Sequence, residues 1–133
     1  MIGIDTNVLI RYITQDDEVQ AKIASDYIES NCTLNNPGYI NQIVLCEIIW
    51  VLKRAYRYNK QIIIDIIRQL LQTGELMVDN SENVWLALEA YEEGSADFSD
   101  YLIALSNKNA GCEKTITFDK NAAYFSLFDQ INS

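Results

Sequence analysis

The chain has 133 residues, 49% of them hydrophobic, with 10 Lys+Arg against 19 Asp+Glu for a net charge of −9. That is one expected domain, residues 1–133, with a sizeable core; intrinsic disorder is excluded, and acidity argues against indiscriminate binding of polyanions. There is no histidine, which removes every mechanism that uses imidazole as base, acid or metal ligand.

Residues 1–5 read as a buried strand running into Asp5, and residues 6–13 as a short helix opening at Thr6 or Asn7. Val19, Ala21, Ile23, Ala24, Tyr27 and Ile28 have helical spacing, so residues 18–30 are a second helix. Pro37 marks a loop or strand entry before a possible strand at 38–40. Asn41 is placed to cap a long helix from Gln42 to about Tyr58. Residues 60–72 form another helix, ended by Gly74, and 76–78 a short strand. Asp79-x-x-Glu82 has the form of a capping box for a helix ending at Gly94. Ser99 caps a helix over 100–110, closed by Gly111, and 114–118 is the last strand, with Asp119 just after it. Strands alternating with helices imply an α/β fold with a parallel sheet covered on both faces. Cys32, Cys46 and Cys112 are odd in number and lack a CxxC pair, so neither a disulfide framework nor a zinc site is expected. With no signal peptide ahead of Asp5 and no uninterrupted membrane-length apolar run, a cytoplasmic protein without a membrane partner is expected.

Four acids stand where strands end or helices begin: Asp5, Glu47, one of Asp97 or Asp100, and Asp119. In open α/β sheets ligands sit beyond the carboxyl ends of the strands. Glu47 lies in a helix that is apolar nearly all round, where a carboxylate needs compensation. Converging carboxylates repel unless a cation neutralises them, and all-oxygen ligation suits Mg²⁺ or Mn²⁺. Each acid also has an ordinary reading. Asp5 and Asp100 would serve as helix caps, Glu47 would pair with Lys53 or Arg54, and Asp119 would be a turn residue.

The blocks that hold these acids resemble those of PIN-domain ribonucleases, in particular the VapC toxins of VapBC toxin–antitoxin pairs. The opening Ile2–Ile10 contains Asp5-Thr6-Asn7. Glu47 is followed by Trp50-Val51-Leu52. The third block runs Ala96-Asp97-Phe98-Ser99-Asp100-Tyr101-Leu102-Ile103-Ala104, and the last is Gly111-Cys112 with Thr117-Phe118-Asp119-Lys120. The one departure is Tyr101, where the family usually has a small residue. The resemblance implies a single α/β/α sandwich with a central parallel sheet and metal-dependent endonucleolytic cleavage of RNA, tRNA being one suggested substrate. It also implies a cognate antitoxin that blocks the site, DNA contact only through the antitoxin complex, and a homodimer or higher toxin–antitoxin assembly.

A chemical assignment follows. Asp5, Asp100 and Asp119 hold Mg²⁺, for which Mn²⁺ would substitute, and Glu47 ligates or orients the attacking water. Thr6 and Thr117 hold neighbouring carboxylates through their hydroxyls, and Asp97 supports the site. Products with a 5′-phosphate and a 3′-hydroxyl are expected. Arg54, two turns beyond Glu47, and Arg11 are the phosphate contacts, with Tyr56 and Tyr58 able to stack on bases. The aliphatic surplus of helix 60–72 is either core or a partner-binding face. Among competing functions, an aspartyl-phosphate phosphatase would need a second Asp where Asn7 stands, and a phosphoreceiver would carry its acceptor on an internal strand. A catalytically silent PIN-like interaction module is the non-enzymatic alternative.

Overall fold

The computed structural model describes residues 1–132. The chain forms two compact units, Met1–Ser81 and the residues from Glu82 onward. In the first unit the elements run β1 (Ile2–Gly3), α1 (Thr6–Thr14), α2 (Glu18–Asn31), β2 (Gly38–Ile40), α3 (Gln42–Arg54), α4 (Lys60–Gln72) and β3 (Leu76–Val78). The strands form one parallel sheet in the order β1-β2-β3, with Gly3, Tyr39 and Met77 in one register row. Parallel neighbours demand long crossovers; α1 and α2 make one and α3 and α4 the other. On alternate strand positions Ile4, Ile40, Leu76 and Val78 are buried, and they face the core with Leu9, Leu45, Ile48, Leu52, Ile63 and Ile67.

The second unit holds α5 (Ser81–Glu93), α6 (Phe98–Asn109), β4 (Thr115–Thr117), a 3-10 turn (Ala122–Tyr124) and β5 (Phe128–Gln130). β4 pairs in parallel with β5. Tyr91 meets Phe98 edge-on at 6.1 Å between ring centroids, and Tyr101 meets Phe125 in the same way at 5.0 Å. This is the α/β class with parallel pairing that alternation implied. No helix among the described residues is long and apolar enough to cross a membrane.

Several local expectations need correction. β5 was not foreseen. Helix α3 ends at Arg54 rather than Tyr58, because Arg57 takes a left-handed φ of 56° and Tyr58 N–H bonds back to the Leu52 carbonyl. Asp79 does not open α5: its carboxylate hydrogen-bonds Tyr39, and Asn80 turns left-handed at φ 46°, so the helix starts at Ser81. Ser99 is not the cap of α6. The helix starts two residues earlier, at Phe98, with Asp97 as N-cap and Asp100 completing a capping box. Nor is α3 buried all round. Val44, Leu45, Ile48, Ile49 and Leu52 face inward, while Ile43, Glu47, Trp50 and Arg54 form an exposed stripe. Helix α4 spends Ile63, Ile64, Ile67 and Leu70 on the core of its own unit, leaving Ile62 as its exposed large hydrophobe. In the second unit Ile116 of β4 and Phe118 just after it are exposed rather than core.

Candidate functional site

In the first unit Asp5 stands at a helix start and Glu47 within a helix. Asp5 follows β1 in extended conformation (φ −78°, ψ 157°) and caps α1, its Oδ1 accepting from Thr6 N–H at 2.9 Å. A carboxylate at this position is favoured by the unsatisfied amides and the helix dipole. The cap engages one oxygen and leaves an exposed side chain. Thr6 is buried, at 8% exposure, and its hydroxyl donates to Glu47 Oε1 at 2.8 Å across 41 residues of sequence. So Asp5, Thr6 and Glu47 are brought together by two successive hydrogen bonds, with both carboxylates presented to solvent. The cost of burying Glu47 that its apolar neighbours suggested does not arise, because it stands on the outward stripe of α3.

The second unit gathers the remaining acids. The Asp100 carboxylate accepts from Asp97 N–H at 3.1 Å, so it is held in the first turn of α6. Burial raises its pKa; the hydrogen bond from Asp97 N–H partly offsets this, and the charges of Asp97 and Asp119 push it up again. Asp119 Oδ1 accepts from Asn121 N–H at 2.8 Å and Ala122 N–H at 3.4 Å, while its own N–H donates to Thr117 Oγ1 at 3.0 Å. Thr117 therefore fixes the backbone of an acid, not its carboxylate. The ordinary readings of Asp5 as a cap and Asp119 as a turn residue are thus also correct, and one oxygen engaged in a cap does not remove the charge.

Tyr101 resolves its own departure from the family pattern. It is buried, its hydroxyl accepts from Ala96 N–H at 3.2 Å, and the ring fills the space beside Gly94, where a Cβ would overlap the hydroxyl. The larger residue is matched by a glycine, and together they fix the loop that delivers Asp97 and Asp100.

The predicted cations are placed differently from each other. Arg11 Nη1 donates to Asp16 at 3.1 Å and to the Tyr56 hydroxyl at 2.9 Å, and Nε donates to Gln20 at 2.7 Å. Tyr56 in turn donates to Asp16 at 2.7 Å. A phosphate at Arg11 would compete with this network, and the Tyr56 hydroxyl is tied into it, which no sequence spacing announced. Arg54 is exposed, and its guanidinium lies 5.5 Å from the Trp50 ring centroid.

Beside Asp5 runs an apolar groove of about 580 Å³, lined by β1, α1 and α2 residues that include Val8, Arg11, Ile23 and Tyr27. Among the described residues, no group of three or more acids or cysteines is positioned to hold a metal ion as a preformed cage. The donors are nevertheless all carboxylate and hydroxyl oxygens, the set that hard divalent cations take.

A PIN domain model matches residues 2–126. The chain belongs to the PIN domain family. No curated protein was found to match it. PIN domains are commonly nuclease modules, and this PIN domain carries its acids at the start of α1, on α3, at the start of α6 and after β4, within the matched span.

Proposed function

We propose that this PIN domain is a Mg²⁺-dependent endoribonuclease, Mn²⁺ substituting, and the toxin of a toxin–antitoxin pair. The observation that carries the reading is the Thr6–Glu47 hydrogen bond, which orients an exposed carboxylate beside the strand-end Asp5. A hydroxyl spent on a solvent-exposed acid contributes little to stability; it defines where that acid points. We assign Asp5, Asp100 and Asp119 to the metal. When bound, the ion supplies charge neutralisation of the phosphodiester and acidification of water. The chain's own residues do the rest. Glu47, fixed by Thr6, accepts the proton of the attacking water. Asp97 and Thr117 set the backbone positions of Asp100 and Asp119. Arg54 binds a phosphate flanking the cut, with Arg11 available only by exchange with Asp16. Water as nucleophile leaves a 5′-phosphate and a 3′-hydroxyl.

The exposed Val8, Ile23 and Tyr27 beside Asp5 support an antitoxin segment with an apolar face in the α1–α2 groove. A cation on that segment, facing Asp5, suits a chain of net charge −9. This moves the partner-binding face from α4, whose Ile63, Ile64, Ile67 and Leu70 are core, to α1 and α2. DNA contact belongs to the antitoxin complex. The test is cleavage of RNA by protein freed of any partner. Activity with Mg²⁺ or Mn²⁺, lost with EDTA and reduced by orders of magnitude in Asp5→Asn, supports the proposal. Metal-independent cleavage, or full activity in Asp5→Asn, refutes it. A folded protein that never cleaves but captures its partner would instead establish the silent interaction module.

A further inference from the structure

Trp50, the largest side chain of α3, is 59% exposed and stands on the helix face opposite the buried Leu45, Ile48, Ile49 and Leu52. It sits three residues after Glu47 and four before Arg54, so the three share the outward stripe of α3. Arg54 lies against the indole at 5.5 Å, a cation–π contact that holds the ring in a defined orientation while leaving it in water. Residues 53–60 also carry Lys53, Arg57 and Lys60, a local excess of cations in an acidic chain. A flat aromatic surface, a guanidinium on it and a cationic surround are the three elements that recognise an unpaired base and its phosphate.

We propose that Trp50 is a stacking platform for an unpaired nucleobase of the RNA substrate, with Arg54 clamping the adjoining backbone phosphate. The proposal rests on the reading of Glu47 as part of a nuclease site, and it gives that site a substrate class: single-stranded or loop RNA rather than continuous duplex. An occupied platform lies about 4.5 Å along the helix axis from Glu47, from the 1.5 Å rise per residue. Stacked base and reactive acid are then neighbours on one face.

The test measures binding in EDTA, where no cleavage occurs, using a short fluorescein-labelled oligouridylate and a blunt RNA duplex of the same length. Trp50→Leu should weaken single-strand binding roughly tenfold, and Trp50→Phe, which keeps a ring, by less. Duplex affinity should stay nearly unchanged. In the Trp85→Phe chain Trp50 is the sole tryptophan, and its emission should be quenched by the oligouridylate and not by the duplex. Equal single-strand affinity in Trp50→Leu, an equal loss for the duplex, or no binding by the wild-type chain overturns the proposal. So does a wild-type dimer on gel filtration that Trp50→Leu converts to monomer at unchanged RNA affinity, because a second copy then covers the ring. The parent reading fails separately, through the absence of metal-dependent cleavage by wild-type protein. Cleavage that persists with no Trp50 effect removes the platform alone.

Discussion

Replacing Thr6 by Val separates the orienting role of its hydroxyl from any contribution to stability. Val keeps the β-branched shape at the first position of α1 and deletes only the donor to Glu47 Oε1 at 2.8 Å. Hydrogen bonds to charged acceptors are worth ~1.5–3 kcal/mol in general. Here Glu47 is exposed, so water replaces the lost donor and the net cost falls to about 1 kcal/mol or less. A domain stable by ~5–15 kcal/mol remains fully folded after such a loss. Activity should respond on a different scale. An outer partner that fixes a functional carboxylate typically contributes ~10–100-fold, and we expect a fall of that size in the rate of metal-dependent RNA cleavage. Thr6→Ser retains the donor and should stay within a few-fold of wild type. The assays are cleavage of a labelled RNA, with thermal melts and circular dichroism on the same preparations. A folded Thr6→Val with wild-type activity would refute the reasoning. So would an equal loss in Thr6→Ser, since the hydroxyl would then not be the operative group.

Three further outcomes are expected. Gly94→Ala should destabilise by ~1–3 kcal/mol through overpacking against the buried Tyr101 hydroxyl; the double variant with Tyr101→Phe should lose less than the sum of the singles, and strict additivity in melts would show that the two do not touch. Asp97→Asn should fold and keep most activity, because Asn caps a helix as well as Asp, whereas Asp100→Asn should abolish cleavage and weaken Mn²⁺ binding; the reverse order would move the essential charge to Asp97. Asp16 has its pKa lowered by hydrogen bonds from Tyr56 and Thr14, then by Arg11, so its stabilisation is present above the ordinary carboxylate range and is lost as pH falls through the lowered value. Asp16→Asn should melt below wild type at neutral pH, with the gap closing on acidification; a gap independent of pH would exclude the ionic part of this network.

How much of this was legible in the sequence depends on how local the signal is. Helices α3 and α4 follow from apolar periodicity, and Asn41 does cap α3; the Asn59 cap of α4 was equally readable and was missed. The outward phase of α3 was available too, since Val44, Leu45, Ile48, Ile49 and Leu52 define a buried stripe that excludes Glu47 and Trp50; the unbroken apolar run around Glu47 hid it. Ser99 and Asp97 are equally good caps by residue type, and the deciding feature was the acid three residues after Asp97. Strand β5 carries Phe128-Asp129-Gln130, whose character comes from its partner β4 and not from its own composition. The Thr6–Glu47 bond and the Arg11–Asp16–Tyr56 network join residues 41 and 45 positions apart, and no spacing rule reaches that far. The candidate acids were picked out from local context, and Thr6 with them as the holder of a carboxylate; that its partner is Glu47 required the folded chain.

The crowding of Asp100 has an evolutionary consequence. Burial and the charges of Asp97 and Asp119 disfavour its ionised form in the folded state. Neutral replacement at Asp100 therefore raises stability at neutral pH, and an Asn there still accepts the Asp97 N–H. Mutation away from the acid at this position is then favoured by stability. A lineage released from selection for cleavage would lose this acid early and become more robust as it did so.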